Sequence, residues 1–130
     1  MKFLVLTSLC FSLLFAQHSS QEGSDPSLLI GTWQLDMTPQ DITDDNFAMM
    51  RIRRVDDKGF YGTFYRKGVE IREGRFNTQR GILYGALVSG DNSGDYNTTF
   101  FLKNGILYGS THSLQRDFLA VWTAIKVSDS

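Results

Sequence analysis

From residue 28 to residue 126 the chain alternates apolar and polar positions with a period of two, and the alternation is cut at short intervals by glycine, asparagine and aspartate. No part of it repeats at the period of a helix, so the segment reads as all-β. Eight strands are expected, at 28–37, 47–55, 60–65, 69–76, 82–89, 96–102, 106–113 and 118–126. The connections Asp56-Asp57-Lys58-Gly59, Arg66-Lys67-Gly68, 77–81 and Lys103-Asn104-Gly105 carry the residues hairpins need, with glycine supplying positive φ. The strands therefore follow one another as a meander. Longer connections at 38–46 and 90–95 interrupt it; the first is acidic, and its Pro39 limits any helix there to a short turn. Consecutive antiparallel strands satisfy their edges most simply by closing on themselves, which gives an eight-stranded antiparallel up-and-down β-barrel.

Four glycines sit inside the odd strands, at Ile30-Gly31-Thr32-Trp33, Tyr61-Gly62-Thr63-Phe64, Tyr84-Gly85-Ala86-Leu87 and Tyr108-Gly109-Ser110-Thr111. Glycine weakens a strand interior, and barrel curvature supplies a reason to keep it there, with neighbouring aromatics covering the gap. Strand parity then sorts the faces. Leu29, Trp33, Leu35, Phe60, Phe64, Leu83, Leu87, Leu107 and Thr111 share a side with these glycines and are expected inside. Gln34, Asp36, Thr63 and His112 are expected outside, together with Tyr61, Tyr65, Tyr84 and Tyr108. Such an outer aromatic belt reads either as a partner or homo-oligomer contact, or as cover for the strand glycines.

The N-terminus has a different character. Lys2, an apolar run over 3–15 and Ala16-Gln17 follow the order of a secretory signal, so 1–16 is expected to be removed on the way to a secreted or periplasmic location. The run is too short to span a bilayer. Residues 17–27 are polar and read as a flexible tether, which leaves 28–127 as one barrel domain. Cys10, the single cysteine, lies within the signal; a lipoprotein reading conflicts with the large Leu9 before it. The remaining chain has no thiol for disulfides, catalysis or metal binding.

Gly31-Thr32-Trp33 resembles the Gly-x-Trp signature of the calycin barrels, which include lipocalins, fatty-acid-binding proteins and avidins. With Gly59-Phe60-Tyr61-Gly62-Thr63-Phe64 after it, the pattern is most similar to avidins. The resemblance implies that Trp33 closes one end of the barrel, with the cation of Lys126 lying over it. It does not carry a biotin site: Leu35 stands where avidins place an asparagine, Phe64 lacks their tyrosine hydroxyl, and no tryptophan matches their stacking pair. Each hydrogen bond missing from a buried ureido group costs ~1–3 kcal/mol, so tight biotin binding is not expected.

With Trp33 at the closed end, the mouth falls at 37–46, 66–68, 89–95 and 114–117. Leu35, Phe47, Met49, Phe64, Val69, Ile71, Ser89, Thr111, Ser113 and Phe118 are the candidate ligand contacts around it, an apolar wall with a few hydroxyls suited to a small apolar molecule. The same residues also describe a filled core, and a barrel of this size accommodates either. In the second reading the protein is a non-enzymatic interaction module working through its outer face.

Charge adds one feature to that face. Nine basic residues fall between positions 51 and 80 against four acidic ones, and Arg51, Arg53, Arg54 and Lys67 are candidate contacts to an anionic surface, or simply a solvated wall. The chain as a whole has a net charge of −1, and nucleic-acid binding lacks both a basic composition and a motif. His18 and His112 stand apart from any nucleophile or metal-ligand spacing, so neither an enzyme nor a cofactor or metal site is expected. Asn97-Thr98-Thr99 is an acceptor for N-glycosylation in a eukaryotic host.

Overall fold

The computed structural model describes residues 22–43 and 45–130. The expected signal at 1–16 and the first part of the expected tether lie outside these residues. Two short 3-10 turns, Glu22–Ser24 and Pro26–Leu29, lead into eight strands: β1 (Gly31–Asp36), β2 (Phe47–Val55), β3 (Phe60–Tyr65), β4 (Ile71–Asn77), β5 (Tyr84–Asp91), β6 (Gly94–Lys103), β7 (Ile106–Ser113) and β8 (Phe118–Ser128). All are antiparallel and form one sheet in the order β3-β2-β1-β8-β7-β6-β5-β4. The fold is the expected up-and-down barrel, nearly closed. Its first and last strands pair along a full ladder. The seam falls instead between β3 and β4, where, among the described residues, only the bridge between Thr63 and Glu70 and the bond from Phe64 N to Val69 O join the sheet.

Some expected bounds shift for local reasons. Leu28 and Leu29 belong to a 3-10 turn rather than β1, because Asp25 caps it by accepting the Ser27 N–H and Pro26 starts it. The connection expected at 90–95 shrinks to Asn92-Ser93, since β5 and β6 stay paired as far as Asp91 and Gly94. Among the described residues of 38–46 there are turns and no helix.

The expected inner set is buried throughout, from Leu29 and Trp33 to Leu107 and Thr111. Sheet register explains two of the strand glycines. Phe76, Gly85, Phe100, Gly109 and Trp122 lie side by side across β4 to β8 on the inner face. A Cβ on Gly85 would overlap the Phe100 ring, and one on Gly109 would overlap Trp122. Large and absent side chains thus alternate across the sheet, and the rings fold down into the gaps. Phe100 and Trp122 then meet at 6.4 Å, Trp122 meets Phe64 at 6.2 Å and Phe100 meets Phe60 at 5.8 Å, which fills the middle of the barrel.

Below this layer Trp33 is buried, donating its indole N–H to Leu29 O at 2.8 Å. The Lys126 ammonium lies 5.3 Å from the Trp33 ring centroid.

The parity expected for β2 is reversed. Ala48, Met50 and Ile52 point inward, whereas Phe47 and Met49 are 49% and 38% exposed. Thr63, expected outside, is 7% exposed because it is bridged to Glu70 at the seam.

On the outside, register aligns β5 to β8 into rows. One row is large and mostly aromatic, Tyr84, Phe101, Tyr108 and Thr123; the next is small, Ala86, Thr99, Ser110 and Val121; the third is Val88, Asn97, His112 and Leu119. Phe101 and Tyr108 stack at 5.3 Å.

Candidate functional site

The strand ends opposite Trp33 surround a cavity of about 320 Å³. Its walls are apolar: Met37 and Phe47 at the β1–β2 connection, Ala48 on β2, Phe64 on β3, and Phe118 and Ala120 on β8. Polar groups enter from Asn46, Tyr65, Tyr96, Thr111 and Arg116. The floor is fixed by the aromatic layer, since the Trp122 indole donates to Thr111 Oγ1 at 2.9 Å and Thr111 is 2.9 Å from Thr98 Oγ1. Both threonines are buried, so this chain satisfies the indole without water.

One rim carries a connected polar cluster. Tyr65 and Tyr96 meet edge to face at 5.0 Å, and the Tyr65 hydroxyl donates to Asp91 Oδ2 at 3.1 Å. Asp91 also accepts from Arg66 at 3.0 Å and from the backbone N–H of Ser93 at 2.8 Å. The Tyr96 hydroxyl lies 2.9 Å from Ser93 Oγ and accepts from Arg116 Nη1 at 3.0 Å. Arg116 in turn sits 5.4 Å over the Phe118 ring and, among the described residues, makes no ion pair.

The electrostatics follow from these contacts. Burial, then the hydrogen bonds with Tyr96 and Asp91, push Tyr65 up to about 12. It therefore remains a donor. The hydroxyl and N–H of Ser93, assisted by Tyr65 and the charge of Arg66, bring Asp91 down to about 2. For Tyr96 burial opposes ionisation, but the hydrogen bonds with Ser93 and Arg116 outweigh it and leave the hydroxyl below its ordinary value. The bond to Tyr96 holds Arg116 above the usual arginine value. The rim thus sets two tyrosine hydroxyls, two arginines and the carboxylate of Asp91 in one hydrogen-bonded cluster beside an apolar cavity.

Of the candidate ligand contacts, Phe47, Phe64, Thr111 and Phe118 line this cavity. The other six are elsewhere. Leu35 is fully buried in the core, Met49 faces out, and Val69 and Ile71 are buried at the β3–β4 hairpin. Ser113 accepts the Arg116 N–H inside the β7–β8 turn, at 3.3 Å. Ser89 is fully buried and, among the described residues, its hydroxyl has no hydrogen-bond partner.

Tyr65 was expected in the outer belt; its ring instead meets Tyr96 at the rim of the cavity. Tyr96 and Arg116 were not singled out, although the alternation of Tyr96, Thr98, Phe100 and Leu102 places Tyr96 inside. The basic side is largely paired: Arg53 with Glu70 at 2.8 Å, Arg54 with Asp56 at 2.9 Å, Arg75 with Glu73 at 3.0 Å, and Arg72 with Asp95. Lys67 and Arg51 are exposed.

Comparison with protein-family models, with curated proteins and with solved structures finds no match for this chain.

Proposed function

We propose that this is an exported, non-catalytic barrel of calycin-like type that holds one small, largely apolar molecule at its mouth. The observation that carries the reading is the convergence of an apolar-walled cavity of about 320 Å³ with Tyr65, Tyr96, Thr111 and Arg116 at a single open end. That volume is at the lower end of the roughly 300–1,000 Å³ of small-molecule sites. The aromatic layer beneath it limits the depth to which a ligand enters, so the occupant is short and shields its apolar body against Phe64 and Phe118. Export is supported by the charged, apolar and small-residue order of residues 2–17. The absence of a catalytic role is supported by the position of His112, which is exposed in an outer row and does not line the mouth cavity.

Native mass spectrometry of the gently purified protein, followed by thermal-shift and calorimetric screening of small apolar and aromatic compounds, tests this reading. Ala120 lines the cavity and is only partly buried, so Ala120→Trp fills the mouth with little strain on the core. The expected result is a bound compound that stabilises the wild type and is lost from Ala120→Trp. Absence of any bound compound, or equal binding by the filled variant, overturns it.

A further inference from the structure

We infer that the outer face of β5 to β8 is a self-association surface, and that its occupant is a second copy of this chain related by a two-fold axis. The inference is independent of the mouth site. Three properties of the face support it.

The first is its chemistry. The three outer rows of β5 to β8 contain no lysine, arginine, aspartate or glutamate; among the described residues three salt bridges lie around β2 to β4, and the other two reach β5 and β6 only at their mouth ends, at Asp91 and Asp95. Leu119 is 66% and Val121 63% exposed, and Ile125 continues the apolar line along β8 at 54%. Depletion of charge at the centre of a patch, with aromatics enriched, is the compositional mark of an interface.

The second is its size. Four strands spaced at ~4.8 Å, over ~8 residues rising ~3.3 Å each, span about 500 Å² in projection. With the relief of the side chains added, this is the scale of a standard interface, about 800 Å² of accessible surface per partner.

The third property selects the occupant. The small row forms the floor of a groove of about 750 Å³, with the aromatic row as one wall and Arg75, across the ladder from Ala86, at its β4 end. Ridge and groove lie side by side, run in the same direction and cross the same four strands. A half-turn about an axis parallel to the rows and midway between them lays the aromatic row of each copy in the groove of the other. Tyr84, Phe101 and Tyr108 then meet Ala86, Thr99 and Ser110 reciprocally, which is the self-complementarity an isologous dimer requires. Strand directions in the two facing sheets are kept close to aligned, as sheet packing prefers. A net charge of −1 raises little repulsion between copies.

Sedimentation velocity of the full chain, made without glycosylation so that Asn97 is bare, tests the proposal over micromolar to hundreds-of-micromolar concentrations. The wild type is expected to sediment as a dimer. Ser110→Arg raises the groove floor, and Val121→Lys places a charge on a residue that is already exposed; both are expected to sediment as monomers that keep the wild-type far-UV circular dichroism spectrum, melting lower only by the stabilisation that dimerisation supplies. Arg51→Glu, on the charged side, is expected to remain a dimer. A wild type that stays monomeric at every concentration overturns the proposal, as does one that floats with lipid vesicles as a monomer. A dimer that survives both groove substitutions overturns it too, because the contact then lies elsewhere.

Discussion

Gly109 stands directly across the ladder from Trp122, and the indole ring occupies the space that a side chain at Gly109 would need. An alanine in a strand ordinarily gains ~0.5–1 kcal/mol over glycine by restricting the unfolded chain. Here the sign reverses: Gly109→Ala is expected to destabilise by ~1–3 kcal/mol through overpacking. Combining it with Trp122→Phe relieves the clash, so the double variant loses less than the sum of the two singles. Denaturant titration of the four proteins measures the coupling. A stabilising Gly109→Ala would mean that the ring does not rest on the glycine.

Trp33 and Lys126 face one another at the opposite end of the barrel, as partners on β1 and β8. Trp33→Ala removes a fully enclosed ring and is expected to cost ~3–5 kcal/mol. Lys126→Ala is expected to cost ~0.5–2 kcal/mol, since both the cation over the ring and the aliphatic stem are lost. Lys126→Met keeps the stem and isolates the charge. Equal losses for Ala and Met would assign the whole effect to the cation. A Trp33→Ala cost below ~1 kcal/mol would show that the ring is not enclosed.

The rim cluster sets the pH dependence. Asp91 is held at about 2 against an ordinary 3.8, chiefly by Ser93, so it binds its proton less readily folded than unfolded. Its contribution to stability is complete above the unfolded value and is lost as the pH falls from 3.8 through about 2. Tyr65 acts in the opposite direction: raised from 10.0 to about 12, its contribution is complete below the unfolded value and lost as the pH rises through that window. Thermal melting as a function of pH should therefore show an acid limb that Asp91→Asn flattens and an alkaline limb that Tyr65→Phe flattens. Unchanged limbs in these variants would place the titrating groups elsewhere.

Ser89 is the clearest internal cost. Its hydroxyl is buried without a partner among the described residues, a burden of ~1–3 kcal/mol. Ser89→Ala removes the group and is expected to leave the protein as stable as the wild type or more so. A loss greater than ~1 kcal/mol by denaturant titration would show that the hydroxyl has a partner in solution.

Strand count, order and the barrel architecture were legible because alternation and turn residues repeat so regularly, though the seam between β3 and β4 was not; the bounds of β2, β3 and β7 coincide with those read from the chain. Parity failed on β2. In Phe47-Ala48-Met49-Met50 both sides of the strand are apolar, and only Arg51 and Arg53 further along show that odd positions face water. The site was harder to read. Alternation places a side chain inside or outside but carries no height along the barrel axis, so Leu35, deep in the core, was grouped with Phe118 at the mouth. Arg116 sits in a turn, where no periodicity operates, and Tyr65 leaves the parity rule where its strand ends. Nor does parity show that Gly85 and Gly109 hold rings, because that depends on which residue stands across the ladder.

The pairing of β1 with β8 has a consequence for how the protein is made. Thr32 on the first strand meets Ser128 on the last, and its hydroxyl donates to Ser130 O at 2.7 Å. Every other ladder joins strands that are neighbours in the chain, so each of those can form while synthesis is still under way. The ring cannot. Until β8 has left the ribosome, β1 and β7 both present unpaired backbone, and Trp122, which rests on Gly109 and seals the floor of the mouth, has not yet been added. The hairpins can form one at a time, but the ring and the floor of the mouth form together, when β8 inserts between β1 and β7.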